Sequence, residues 1–376
     1  MIKSFFTITG LVLLFITIPL SAKTDSTKIA PAYDLDFMTY FLNREFDATE
    51  FHDANTFFGV RFTPGIGISI KHDKQVGKKQ SFNHRFMVGY DMRKNFGTAQ
   101  ALEDNMLKGL HLYYTMDTQL GDKTKLTLVA GAFPRKHMQG KYSEAFFSDS
   151  LKVFDNTIEG LLVKVARPKA KYELGLDWIG RYGQDSREKF VLYSSGNGYV
   201  SPWLYLGYTA YMHHYSSSKS VKGVVDNILV NPNIGFDLSS FTALDKFDIN
   251  LGWLQAAQHD RKMIGSYVFP GGGEFTINLS KWRFGVSNYL YYGKGLMPYY
   301  NFVDAGGNKY GNGLYLGNAF YRIKPDSSAG LYDRVDVYYS PRLGKYVSID
   351  MRIILHFNQG WAGTQQLITI RINLEK

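Results

Sequence analysis

Hydrophobic and polar residues alternate with a period of two along most of this chain. Phe58, Val60, Phe62, Pro64, Ile66, Ile68 and Ile70 occupy one phase, and Gly59, Arg61, Thr63, Gly65, Gly67, Ser69 and Lys71 the other. Side chains at i and i+2 share one face of a strand, so each segment has a greasy face and a polar face. The split recurs at Leu110–Asp117, Tyr172–Ile179, Leu204–Met212, Val347–Leu355 and Ile368–Leu374. No comparable 3.6-residue period follows the N-terminal segment. The alternation predicts strands at 33–43, 55–72, 80–91, 108–119, 123–134, 157–166, 171–182, 187–196, 200–214, 228–240, 246–257, 273–280, 281–292, 331–340, 345–357 and 365–375.

A soluble sandwich also alternates, because one face of each of its sheets packs inward. Three features favour a membrane barrel. The segments run to about ten residues, the length a tilted strand needs to cross a bilayer. Tyr33, Tyr90, Trp178, Tyr208, Trp282 and Tyr339 stand near strand ends on the apolar phase, as in interfacial girdles. The polar phase carries Gly, Asn, Asp and Arg, which suits a wet lumen. Short turns (120–123, 167–170, 197–199, 241–246, 280–281, 341–345) alternate with long loops (92–107, 135–156, 216–227, 258–272, 293–330). Outer-membrane barrels put short turns at the periplasm and long loops outside. A further apolar run at 314–324 is set aside, because both termini on one side require an even strand count. Sixteen strands is the reading, with eighteen as the alternative.

The first residues change the expected compartment. Lys3 precedes an apolar stretch, Phe5–Ile18, that ends at Pro19 and Leu20-Ser21-Ala22. This reads as a secretory signal peptide over 1–22, with the barrel over 23–376. The 376 residues contain no cysteine, which excludes disulfide scaffolds, zinc–thiolate sites and thiol nucleophiles. Lys plus Arg exceed Asp plus Glu by 43 to 33, a net charge of +10, and aromatics make up 16%. With no basic helix or stacking motif, the charge does not point to nucleic acid.

A signal peptide, sixteen alternating segments and a C-terminal amphipathic strand resemble a general porin. Gly-Ala-Phe-Pro-Arg at 131–135 and Gly-Asn-Ala-Phe-Tyr-Arg at 317–322 look like the porin-like outer-membrane β-barrels of Bacteroidetes-type Gram-negative bacteria. The chain ends Leu374-Glu375-Lys376, where known porins of this size often end on Phe or Trp. The resemblance implies an all-β transmembrane antiparallel barrel in the bacterial outer membrane. It implies passive diffusion of small hydrophilic solutes, no cofactor and no catalytic activity. Homotrimers would fit it. It also implies a constriction loop after the fifth strand, here 135–156, with Glu144, Asp149, Asp155 and the apolar pair Phe146-Phe147.

With the greasy phase outward, the inward phase holds Arg61, Arg85, Arg181, Arg283, Arg334, Arg352, Arg371, Asp117, Asp177 and Asp350. The last four strands carry Arg334, Arg352 and Arg371, and the second and third carry Arg61 and Arg85, so closure would gather a basic wall. Such a wall sets ion preference and would favour anions. The competing reading is internal pairing, as Arg334 with Asp336 and Arg352 with Asp350 are same-face neighbours.

Two other function classes stay open. A plugged barrel could bind a partner or serve a surface complex through its long, aromatic-rich loops. A barrel enzyme acting on lipid would need an outward His and Ser at the lipid interface; by phase, His214 beside Ser216–Ser218 is the candidate. A rim protease would draw on His259-Asp260 or His52-Asp53. No H-E-x-x-H, H-x-H or G-x-S-x-G motif is present, so no metal site is expected.

Overall fold

The computed structural model describes residues 24–46, 54–76, 78–97, 106–220, 222–262, 265–303, 307, 309–323 and 329–376. The expected signal peptide and His52-Asp53 lie outside them.

Alternation becomes a barrel because every strand finds its sequence neighbour. The strands are β1 (Thr24–Phe46), β2 (Asn55–Val76), β3 (Lys78–Asn95), β4 (Leu107–Leu120), β5 (Thr124–Pro134), β6 (Thr157–Arg167), β7 (Ala170–Gly180) and β8 (Lys189–Tyr199). They continue as β9 (Leu204–Tyr215), β10 (Val225–Asp237), β11 (Lys246–Asp260), β12 (Gly271–Lys281), β13 (Phe284–Gly293), β14 (Gly330–Tyr339), β15 (Arg342–Leu343), β16 (Val347–Asn358) and β17 (Trp361–Glu375). β15 is only a two-residue arm folded against the start of β16. The other sixteen form the wall, each antiparallel to its neighbours, with β14 pairing directly to β16. β17 closes the circle on β1, for example Thr39 opposite Ile370 and Met38 opposite Arg371. Closure removes the open edges that would otherwise template aggregation.

The expected strands coincide with the observed ones, with local differences. β1 begins at Thr24, and residues 24–32 pair with β2 alone. The turn expected at 280–281 lies at Trp282-Arg283, both with positive φ (49° and 73°). A two-residue hairpin with positive φ at both centres matches the strand twist and normally takes Asn-Gly. Trp-Arg hides that signal, so Arg283 is an exposed turn residue and does not face the lumen. β7 ends at Gly180 after an irregularity between Trp178 and Gly180, and the carbonyl of Arg181 accepts a hydrogen bond from Ser186 (2.8 Å). Arg181 is therefore an exposed loop residue. Within the apolar run at 314–324, the described residues 314–323 form no strand; 3-10 turns lie at Gly311–Leu314 and Ala319–Arg322.

The outer wall is apolar. Ile66, Leu112, Leu206, Trp253, Ile353 and Ile370 are 66%, 62%, 52%, 53%, 53% and 42% exposed, a surface that suits hydrocarbon and not water. Ile349, on the same face opposite Ile370, lies near the start of β16, whereas Ile353 stands at its middle. Ile353→Arg is expected to destabilise the barrel in liposomes by about 2–4 kcal/mol, and Ile349→Arg by less. Equal costs in denaturant titrations would mean that β16 sits at a different depth.

Candidate functional site

Two places gather chemistry: the lumen, and the outer wall at the long-loop end of β9–β11.

The lumen at the long-loop end is filled. After β5 the chain turns inward at Arg135–His137 and passes through α1 (Asp149–Phe154), capped by Ser148, whose Oγ accepts the Leu151 N–H (3.3 Å). Phe146 and Phe147 are 0% and 3% exposed, packed on Tyr211 and Tyr193 of the wall. The β13–β14 loop enters beside them. Phe320 stacks on His356 and Tyr332, Tyr315 Oη donates to Gln258 Oε1 (2.8 Å), and the Leu314 carbonyl accepts from Asn227 (2.8 Å). The loops bind each other through Asn318 N–H to Glu144 O (2.7 Å) and Ser148 N–H to Leu316 O (2.9 Å). A Cβ on Gly317 would stand 2.0 Å from the Ala145 carbonyl oxygen, so the two backbones meet where only glycine fits. Gly317→Val is expected to cost about 1–3 kcal/mol and to expose the 135–156 segment to protease. Unchanged stability and cleavage would contradict this junction.

The ion pairs tie this plug to the wall. Arg334, 2% exposed, reaches Asp336 (2.6 Å), Asp149 (2.8 Å) and Glu144 (3.2 Å). Arg352 reaches Asp350 (2.6 Å) and Asp336 (3.5 Å), and Lys152 reaches Glu144 and Asp149. Burial and neighbouring Asp149 push the Glu144 carboxyl up against its two cations. Burial acts on Asp149 as well, but Arg334 and Lys152 outweigh it and hold that carboxyl below the usual carboxylate range.

The other charges expected inside are also paired. Arg61 meets Asp91 (3.0 Å), Arg85 meets Glu375 (2.8 Å), Arg371 meets Asp36, and Asp117 meets Lys125 (3.2 Å). Arg135 bridges Asp155 (2.8 Å) and Asp177 (3.2 Å).

On the outer wall, the phase of β9 sends His213 inward, where its Nδ1 lies 3.0 Å from the Leu314 carbonyl oxygen, and His214 outward. Strand register puts Asp226 of β10 directly opposite His214, with Phe190 of β8 on its other side. His214 Nδ1 lies 3.5 Å from Asp226 Oδ1. The imidazole stacks on Phe190 at 4.8 Å, and Phe190 on Trp178 at 5.3 Å. Asp226 is 5% exposed although it is on the outward phase. Arg261 covers it, with Nη2 and Nε at 2.7 and 2.8 Å from Oδ2, and Tyr267 Oη lies at 3.5 Å. The anchored carboxylate faces Nδ1 of His214, so Nε2 is the ring nitrogen turned away from it. Ser216 lies two residues beyond His214, just past the end of β9, and its N–H donates to the Glu188 carbonyl (2.8 Å).

Sequence reasoning named His214 and Ser216 but missed Asp226, which it left in a loop ending at 227. The pairing of β9 with β10 was the missing signal. His259 and Asp260 do not form a unit: His259 faces outward beside Asp226 and packs at a tilt against Tyr267 (4.7 Å), while Asp260 turns inward to accept from Tyr310 Oη (2.6 Å). Among the described residues no group of three or more His, Asp or Glu is placed to hold a metal ion.

The solved structures similar to this chain include a porin. A triple mutant of the Rhodopseudomonas blastica porin is 10% identical, with a TM-score of 0.40 over 92% of this chain and 100% of that one. Acinetobacter baumannii OccAB4 is 11% identical, with 0.43 over 92% and 98%. Pseudomonas aeruginosa OccD3 is 9% identical, with 0.43 over 94% and 93%. No curated protein matches the chain. A family model described as lipid A 3'-O-deacylase-type matches residues 26–373, the barrel from its first strand to its last. That description names an enzyme and overturns the expectation of a protein without catalytic activity. The chain belongs to the lipid A 3'-O-deacylase-type family.

Proposed function

We propose that the protein is an outer-membrane ester hydrolase that removes an acyl chain from the 3'-O position of lipid A, and that His214, Asp226 and Ser216 do the chemistry. The observation that carries this reading is a histidine–carboxylate pair on the lipid-facing side of the wall at the long-loop rim, in a chain of the deacylase-type family. A porin has no use for such a pair outside its lumen. An enzyme whose substrate lies in the membrane needs its base there.

The short turns face the periplasm and the long loops the exterior, so the pair meets the outer leaflet. Asp226 orients the His214 imidazole, while Arg261 holds Asp226 in place. In acylation, Ser216 Oγ attacks the ester carbonyl carbon as His214 Nε2 takes the hydroxyl proton. The sugar alkoxide leaves and receives that proton. Water then attacks the acyl-enzyme, gives its proton to His214 and releases the fatty acid as Ser216 is restored. Lys219, Lys222, Arg261 and Lys262 crowd the same rim and suit the phosphates of lipid A. Trp178, Phe190 and Phe269 offer an apolar bed for acyl chains. The filled outer half of the lumen supports this reading over passive diffusion.

The test is linkage selectivity. Refolded protein in mixed micelles should release fatty acid from an acyl ester of a glucosamine glycolipid and leave the amide-linked analogue intact. Release from neither substrate would contradict the reading.

A further inference from the structure

Below the plug, the periplasmic half of the lumen is a chamber of about 790 Å³. Its roof is the 138–147 segment, and its mouth includes the β6–β7 turn at Pro168 and Lys169. The lining is lopsided in charge: eleven Lys or Arg side chains against four Asp or Glu. The four carboxylates are committed. Asp36 holds Arg371; Glu173 accepts the Gln139 and Gly140 N–H groups (2.6 and 3.1 Å); Asp248 accepts from Tyr205 Oη (3.1 Å); Glu274 accepts from Ser143 Oγ (2.5 Å) and Asn231 (2.8 Å). Five of the eleven cations are also paired: Arg61, Arg135, Lys152 and Arg371 with the carboxylates named for the lumen, and Lys136 with Asp34 (2.5 Å). The other six meet no carboxylate among the described residues. Lys164 donates to the His137 carbonyl (2.9 Å) and Arg167 to Thr124 Oγ1 (3.2 Å), while Lys141, Lys169, Lys171 and Lys246 pair with no carboxylate among the described residues.

We infer that this chamber binds a small, multiply charged oxyanion, of the phosphate-bearing class, from the periplasmic side. Three physical facts point there. A cleft walled by low-dielectric protein and lined by one sign of charge concentrates the opposite sign. A cavity of several hundred Å³ matches the size of small-molecule sites. Lysines from a loop (Lys141), a turn (Lys169) and two strands (Lys171, Lys246) line this one chamber, and flexible ammonium stems can share the oxygens of one polyanion. A merely solvated basic rim would be spread over the turns, whereas Lys141 hangs from the roof of the chamber itself. This site lies at the opposite end of the barrel from His214 and does not depend on the deacylase reading.

The probe is inorganic tripolyphosphate, titrated calorimetrically into the refolded full chain in zwitterionic micelles. Saturable binding is expected that weakens steeply with salt. It should weaken at least about tenfold in Lys141→Gln/Lys246→Gln, consistent with loss of two charge-assisted contacts, and stay unchanged in Lys294→Gln, an exposed residue outside the chamber. A neutral disaccharide should give no heat. No saturable binding, or equal loss in both variants, would overturn the inference. Should the double variant fail to show heat-modifiable mobility, Lys141→Gln alone, in a loop, carries the test: unchanged affinity there would also overturn it.

Discussion

His214→Ala is expected to lower acyl-ester cleavage by about 10²–10⁴-fold, the range for loss of a positioned general base. KM should change little, because the acyl chains and phosphates are held by other groups. The barrel should fold normally, since His214 is on the outer face and supports no plug contact. Asp226→Asn should also reduce kcat, because an amide opposite Nδ1 no longer fixes the tautomer that leaves Nε2 as base. It should cost some stability as well, since Arg261 would lose its carboxylate partner. Ser216→Ala separates two chemistries. Loss equal to His214→Ala supports the acyl-enzyme route, and retained activity means that His214 activates water directly. Wild-type rates in His214→Ala would remove the outer-wall pair from the mechanism altogether.

The largest stability effect is expected at Arg334. Its guanidinium joins three carboxylates, of which Asp336 is 0% exposed and Glu144 is 6% exposed. Arg334→Leu would leave these carboxylates buried around an apolar side chain. Removing one partner of a buried charge cluster costs about 3–5 kcal/mol. Part of that cost can be relieved if the plug leaves the wall, because Glu144 and Asp149 belong to the loop and Asp336 to β14. The variant is therefore expected to unfold at lower denaturant and to show a larger single-channel conductance than the native chain. A fully stable variant of unchanged conductance would contradict the role of this cluster in holding the plug.

The barrel was legible in the sequence because a period of two, repeated sixteen times, leaves little choice of fold. Outward positions such as Leu206 and Ile370 follow from phase alone. Turn chemistry was legible where glycine or a basic cluster marked it and illegible at Trp282-Arg283, which adopts a glycine-type conformation without the glycine. The lumen was half legible. Phe146 and Phe147 advertised burial, and they are buried. That Glu144 and Asp149 would meet Arg334 required the path of the loop across the barrel, which periodicity does not carry. The outer site shows the same division. His214 and Ser216 were visible as one outward pair, whereas Asp226 became its partner only through the β9–β10 register. The expectation that no catalysis occurs came from the porin resemblance, which weighed barrel size and loop layout and gave little weight to what stands on the outer wall.

The most direct test is mass spectrometry of lipid A recovered from outer membranes that contain the wild-type chain or His214→Ala. The account predicts lipid A lighter by one ester-linked acyl group, lost from the 3'-O position, with the wild type, and intact lipid A with the variant. Intact lipid A in both, with the wild-type protein folded and present in the membrane, would contradict the deacylase reading.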